Sequence, residues 1–398
     1  MTAEPFPVRL VRTRATFLVY AILGFYGWFI YGFGPIVPLL RDEEGTSRTV
    51  ASLHGTALAI GAVVAGALYP ALATRVGRGR TLWLMLAGLA VGIVALVSVP
   101  SAPAFTIAAA LACGIAGSTL INLVPPALLA AHGPEVSGAA VTEGNSIATG
   151  TGLVAPLAVG LSLNLGFGWR PALLIAVVIA VGIAVTAKVT GAGLASVVVS
   201  DADQPGASAR ERAPLPRRYW LAWGVILCCI AAEFATTLWA SDVVRARTGA
   251  SASLATSTLT AVIGGMCVGR IVGARLAVRY SGSALLLPAL AVATLGAGSF
   301  WAATSPVYAV AGLALCGLGL GPLYPLGIDL AMAASEGQPD RAAGYASYGG
   351  GLAIGGGPFA LGWLADRVGP HTAYLVVPAL FCFAALGVLA LCEDLPRL

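Results

Sequence analysis

Few residues of this 398-residue chain set an ionisable group inside an apolar run. Glu233 stands within IAAEFATTLWA and Arg270 within GGMCVGRIVGA. Glu143, Asp329 and His54 sit nearer the ends of such runs, and Asn122 is the main amide. A carboxyl in a setting of low dielectric can carry a proton, or serve as a structural group bonded to a neighbouring helix. Arginine does not deprotonate, so Arg270 needs a counter-charge in a structural or gate salt bridge, water, or an anionic substrate. At 1.5 Å per residue the two differ in depth by roughly 10 Å, so a direct pair is not implied. Glu143 and Asp329 fall towards the cytoplasmic ends of their spans, which suits a gate. A lone His54 near an outer end reads as a satisfied interfacial residue.

These groups matter because the rest of the chain has so little charge. Hydrophobic residues make up 58% and charged residues 10%, and mean hydropathy is +0.89. A soluble domain carries about 25% charge. Disorder, a nucleic-acid-binding surface and a multidomain soluble enzyme are excluded. A membrane helix needs about 20 apolar residues; twelve of about 23 take roughly 276 residues, leaving short connections. The seven cysteines lie in or at the ends of apolar runs, without a CxxC or a histidine partner. They read as packing residues, with no metal and no cofactor.

Apolar runs predict spans over about 15–40, 49–74, 81–99, 104–130, 139–165, 169–190, 218–240, 253–278, 284–304, 306–334, 342–366 and 371–391. Residues 191–217 form a Gly-, Ala-, Ser- and Pro-rich linker between 1–190 and 218–398. With the N-terminus inside, fifteen basic residues face inward: Arg9, Arg12, Arg14, Arg75, Arg78, Arg80, Lys188, Arg210, Arg212, Arg217, Arg218, Arg275, Arg279, Arg341 and Arg397. Six face outward: Arg41, Arg48, Arg170, Arg245, Arg247 and Arg367. The positive-inside rule then places both termini in the cytoplasm of a cell whose plasma membrane the chain crosses.

The two halves repeat. Ala-Cys113-Gly114 matches Leu-Cys316-Gly317, Leu72-Ala73-x-Arg75 matches Leu276-Ala277-x-Arg279, and Pro156 with Gly160 matches Pro358 with Gly362. Both copies run in one orientation, the parallel symmetry of a 6+6 transporter. The stretch Leu72-Ala73-Thr74-Arg75-Val76-Gly77-Arg78 resembles the loop motif of the major facilitator superfamily, with Thr74 where the motif has Asp. Gly362-Trp363-Leu364-Ala365-Asp366-Arg367 is a fuller copy, and Trp169-Arg170 before span six is a further likeness. The resemblance implies twelve transmembrane helices in two six-helix bundles related by a pseudo-two-fold axis. It implies that Arg75, Gly77, Arg78, Asp366 and Arg367 belong to gate loops. It also implies that spans two, five, eight and eleven rock against each other.

Glycines crowd spans five, eight and eleven, with Gly265, Gly269 and Gly273 in successive GxxxG steps. They read as a gating interface or as tight packing. Gly319-x-Gly321-Pro322-x-Tyr324-Pro325 reads as a broken stretch beside a cavity. Aromatics suit a cavity for an amphiphilic ligand: Tyr26 and Tyr31 in span one, and Trp239, Tyr324, Tyr345 and Tyr348 elsewhere. No Walker loop or hydrolase motif occurs, so the chain reads as a monomeric secondary transporter, not an enzyme. The leading expectation is proton-coupled efflux of a small amphiphile, with Glu233 as carrier. The alternative is uptake or exchange of a small, monocarboxylate-like anion at Arg270. A non-transporting sensor or scaffold is the reading from another class.

Overall fold

The computed structural model describes residues 10–98, 102–193, 214–277, 279–280, 282–336 and 339–393. Most of the 191–217 linker lies outside them. Among the described residues, fourteen helices combine into twelve rods. The first half holds α1 (Arg14–Glu44), α2 (Arg48–Arg75), α3 (Arg78–Ser98), α4 (Pro103–His132), α5 (Pro134–Asn164) and α6 (Arg170–Thr190). The second holds α7 (Arg217–Thr248), α8 (Ala252–Ser257), α9 (Leu259–Ala277), α10 (Gly282–Ala302), α11 (Pro306–Ala333), α12 (Pro339–Val368), α13 (Pro370–Ala373) and α14 (Val376–Glu393).

Eleven described segments are long and apolar enough to cross a bilayer. The remaining rod, α12, has 30 residues, but its glycines and hydroxyls dilute its apolarity. Local signals set the ends. Thr13 and Thr16 form a capping box at the start of α1. Gly133, at φ +76°, both ends α4 and begins α5, with Pro134 in the first turn. That backbone angle suits glycine alone, and Pro at N1 needs no donor.

One expectation, the broken stretch from Gly319 to Gly327, needs correction, while two predicted spans stand but carry an internal break. The eighth crosses as Ala252–Ala277 and breaks at Thr258 between α8 and α9. Ser257 and Thr258 hydroxyls donate to the carbonyls of Ser253 and Ala255 at 3.0 and 2.7 Å, competing with the helical ladder. The last span likewise divides into α13 and α14. By contrast, the stretch from Gly319 to Gly327 is unbroken, and α11 carries Pro322 and Pro325 inside it. Packing against neighbouring helices lets a membrane helix keep its prolines.

The packing repeats with the sequence. In the first half α1 packs on α5 and α6, α2 on α4, and α3 on α4 and α6. In the second, α7 packs on α12 and α14, α9 on α11, and α10 on α11 and α14. The contacts explain the matched residues. A Cβ on Gly114 would meet the Leu58 backbone, and one on Gly317 the Val262 backbone. Cys113 lies against Gly92, and Cys316 against Gly296. The halves meet through α2 with α12, α5 with α8 and α9, and α1 with α7.

The GxxxG run does not join the halves. Gly265, Gly269 and Gly273 face Ala314, Leu318 and Pro322 of α11, within one half. Gly355 and Gly362 do cross, to Ala59 and Ser52 of α2, and Gly160 crosses to Ser253 and Ser257. Gly114→Val should lower stability by about 1–3 kcal/mol through overpacking. Gly66→Val, at a position with open space, should change it by under about 0.5 kcal/mol. Thermal unfolding of the two proteins in detergent checks this; equal midpoints would refute the close-approach argument.

Candidate functional site

Between the halves lies a cavity of about 280 Å³. Its walls come from α1 (Tyr26, Ile30, Tyr31), α2 (Leu58, Ala59, Ala62), α4 (Ser118), α7 (Glu233, Phe234, Thr237), α9 (Val262, Ile263) and α12 (Ile354, Pro358), among others. Glu233 is the one charged side chain of this lining among the described residues. Tyr26 and Ser118 line the cavity together. The Tyr31 ring packs against Gly152 of α5, where no Cβ would fit.

Arg270 stands just outside the lining. Its guanidinium interacts electrostatically with the Tyr31 hydroxyl and with Glu233. Its Nη1 also reaches Thr149 Oγ1 at 3.4 Å. No ion pair within 4.0 Å joins it to Glu233 among the described residues, and Tyr31 touches both environments. Tyr324 interacts electrostatically with Glu233.

Other predicted cavity residues fall elsewhere. Trp239 is fully buried and donates to the Pro358 carbonyl at 3.0 Å, a structural joint between α7 and α12. Asn122 is half-buried, outside the lining. Tyr345 stacks edge-on with Trp220, and its carbonyl accepts from Trp223 at 2.8 Å. Tyr348 is exposed on the outer surface of α12. His54 is buried, with ring nitrogens 3.0 Å from the Ala51 carbonyl and 2.8 Å from Thr106 Oγ1.

The predicted gate residues divide between the two ends of the molecule. At the end nearer the termini, Glu143 accepts from Arg12 at 2.6 and 3.0 Å and from Tyr20 at 2.9 Å. Arg75 and Asp329 are exposed, Gly77 takes φ +86°, and Arg78 interacts electrostatically with the Tyr69 hydroxyl. Thr74 donates to its own helix at Pro70. At the opposite end, Asp366 accepts from the Arg48 and Thr49 amides at 2.9 and 2.8 Å and from the Thr49 hydroxyl at 2.6 Å. A carboxylate from α12 thus caps the positive end of α2. Arg367 lies 3.5 Å from the Trp363 ring centroid.

Sequence reasoning missed the strongest group at that end. Asp242, with its side chain 5% exposed, meets Arg41 at 2.9 Å and Arg48 at 2.7 Å. Arg245 pairs with Asp42 at 2.6 Å. All three pairs tie the first half to the second, and among the described residues no ion pair between the halves occurs at the other end. One signal was available: Asp42 and Arg245 are 203 residues apart, one of the repeat offsets, so they stand at corresponding places near the ends of α1 and α7.

Twelve rods in two matching halves, with a cavity between them that holds one carboxyl and with ion pairs joining the halves at one end, have the architecture of a secondary transporter. The comparisons agree on its kind. The profile of the major facilitator superfamily matches residues 17–358, and the chain belongs to that family. It superposes on a point mutant of the nucleoside transporter NupG with a TM-score of 0.78 at 14% identity, covering 95% of this chain and 98% of that one. A point mutant of the peptide transporter POT gives 0.75 at 14%, covering 97% and 96%. A D-xylose–proton symporter gives 0.72 at 15%, covering 96% and 98%. No curated protein matches by sequence. The chain is a multi-pass membrane transporter and not an enzyme.

Removing the Asp242 charge leaves Arg48 without its ionic partner and Arg41 with Asp42 alone. Breaking a buried pair costs roughly 3–5 kcal/mol. Asp242→Asn should therefore open this end. Labelling of Thr237→Cys by an impermeant maleimide added at this end should quicken at least about tenfold. Unchanged labelling would remove Asp242 from the latch.

Proposed function

We propose that the protein exports a small amphiphilic compound in exchange for protons, with Glu233 as the proton carrier. The observation that carries this reading is the cavity lining: one carboxyl, a few hydroxyls, and otherwise apolar and aromatic walls. A carboxylate facing such a cavity can hold a proton or meet a polar or basic group of a ligand, but not both. That competition couples two opposed fluxes through one residue. Arg270 offsets the charge of Glu233 when the proton is absent, and Tyr31 keeps the two groups in register. The shared fold of a D-xylose–proton symporter is compatible with proton coupling.

The halves 1–190 and 218–398 act as two bundles that rock about the cavity, joined by the linker 191–217. With the positive-inside orientation, the contacts of Asp242, Asp42 and Asp366 lie outside and hold that side shut, so that the cavity opens to the cytoplasm. Releasing that latch and closing the other end would carry the site across. The protein works as a monomer in the plasma membrane. The anion reading has less support, because Arg270 is engaged with Tyr31 and Thr149 rather than lining the cavity.

In proteoliposomes with an imposed pH gradient, Glu233→Gln should abolish substrate-dependent proton movement while leaving downhill substrate exchange within about threefold of the parent. Coupled proton movement surviving in that variant would overturn the assignment. Loss of carboxylate binding in Arg270→Ala would favour the anion reading instead.

A further inference from the structure

A second recess lies on the membrane-facing side of the α2–α12 seam. It has a volume of about 420 Å³ and is walled by Thr56, Ala59, Val63, Leu352, Gly355 and Gly356, among others. Ile60, Val63, Tyr348 and Leu352 expose 53%, 40%, 66% and 61% of their surface here. Such exposure on a spanning helix faces acyl chains. The central cavity lies behind the same seam, walled by Ala59, Ala62, Ile354 and Pro358. Ala59 lines both spaces.

The partition between them is thin. A Cβ on Gly355 would lie 3.1 Å from that of Ala59, and the Thr56 hydroxyl donates to the Gly355 carbonyl at 3.1 Å. At this point the barrier is one methyl group, one hydroxyl and bare backbone. Gly356 has nothing within 4 Å of where a side chain would begin, so the recess is open beside it. Among the described residues no charged side chain lines the recess, which suits an apolar body. The first carboxyl such a molecule would meet is Glu233, across the seam.

We infer that the α2–α12 seam is a lateral entrance through which a bilayer-dissolved amphiphile passes from the lipid into the central cavity. The inference deepens the proposed export function and rests on it for the identity of the cargo, not for the existence of the passage. It specifies the substrate class as molecules that partition into the membrane first, apolar end leading, rather than solutes captured from water. The small residues of the seam let the two helices part by a few ångströms without unpacking a large side chain.

The test uses the full-length protein in liposomes with a cysteine in the central cavity, Ala62→Cys, and labelling of the parent subtracted. Pyrene maleimide dissolved in the bilayer probes the lateral route; a sulfonated, water-borne maleimide probes the open end. Adding Gly356→Leu places a side chain in the recess. Labelling by the pyrene reagent should fall at least fivefold, while labelling by the sulfonated reagent stays within twofold. Equal pyrene labelling with and without Gly356→Leu would overturn the entrance. A parallel fall with both reagents would also overturn it, because Gly356 would then be shaping the cavity itself. The outcome is independent of the Glu233→Gln experiment. If proton coupling fails but lateral labelling behaves as expected, the entrance stands and the export reading falls. If coupling holds but lateral labelling does not, cargo enters from the open end.

Discussion

Close backbone contact between helices underlies the rest of the structure. Within lipid, side-chain burial between helices brings little hydrophobic gain, so association depends on van der Waals contact and internal hydrogen bonds. Glycine permits the approach. Gly61 and Gly114 join α2 to α4, and Gly265, Gly317 and Gly321 join α9 to α11. These contacts pack each half tightly within itself. They also explain why the repeat survives at these positions while the side chains around them differ.

Given two firm halves, the interface between them is left with weaker and more reversible contacts. At one end they are ionic and concentrated: Asp242 held by Arg41 and Arg48, Asp42 by Arg245, and the α2 terminus by Asp366. Asp242 is nearly buried between Arg41 and Arg48 while Asp42 and Arg245 are partly exposed, so parting the halves here breaks a few directional contacts rather than a broad packed surface. At the other end the loop motif has Thr74 in place of an acid, and its hydroxyl turns back to its own helix. The two ends of the interface therefore differ: ion pairs join the halves at one end, and among the described residues none does at the other.

The cavity itself combines scarcity with placement. A single carboxyl among apolar walls has few partners to choose from, and Tyr31 links its surroundings to Arg270. Gly152 gives the Tyr31 ring its space, so a residue with no side chain helps to fix the geometry of the charged centre. The seam of Ala59 and Gly355 shows the same economy on the lipid side.

Much of this was legible in the sequence, because the bilayer reduces the choices. Long apolar runs must be helices when backbone groups have no water to bond; the runs therefore gave the rods, the repeat gave their pairing, and isolation in an apolar run singled out Glu233 and Arg270. The resemblance on the loop motifs supplied the family. What the sequence could not determine was direction around a helix. Trp239 and Tyr31 are both aromatic residues within spans, yet one is a buried joint and the other lines the cavity. The GxxxG glycines of α9 turned inward to α11, not across to the other half. Asp242 carries no sequence signal of its own, and folding brings Arg41 and Arg48 to it from about 200 residues away. Hydropathy reports whether a residue is in the membrane; only packing decides which neighbour it faces, because that depends on the rotation of each helix against all the others.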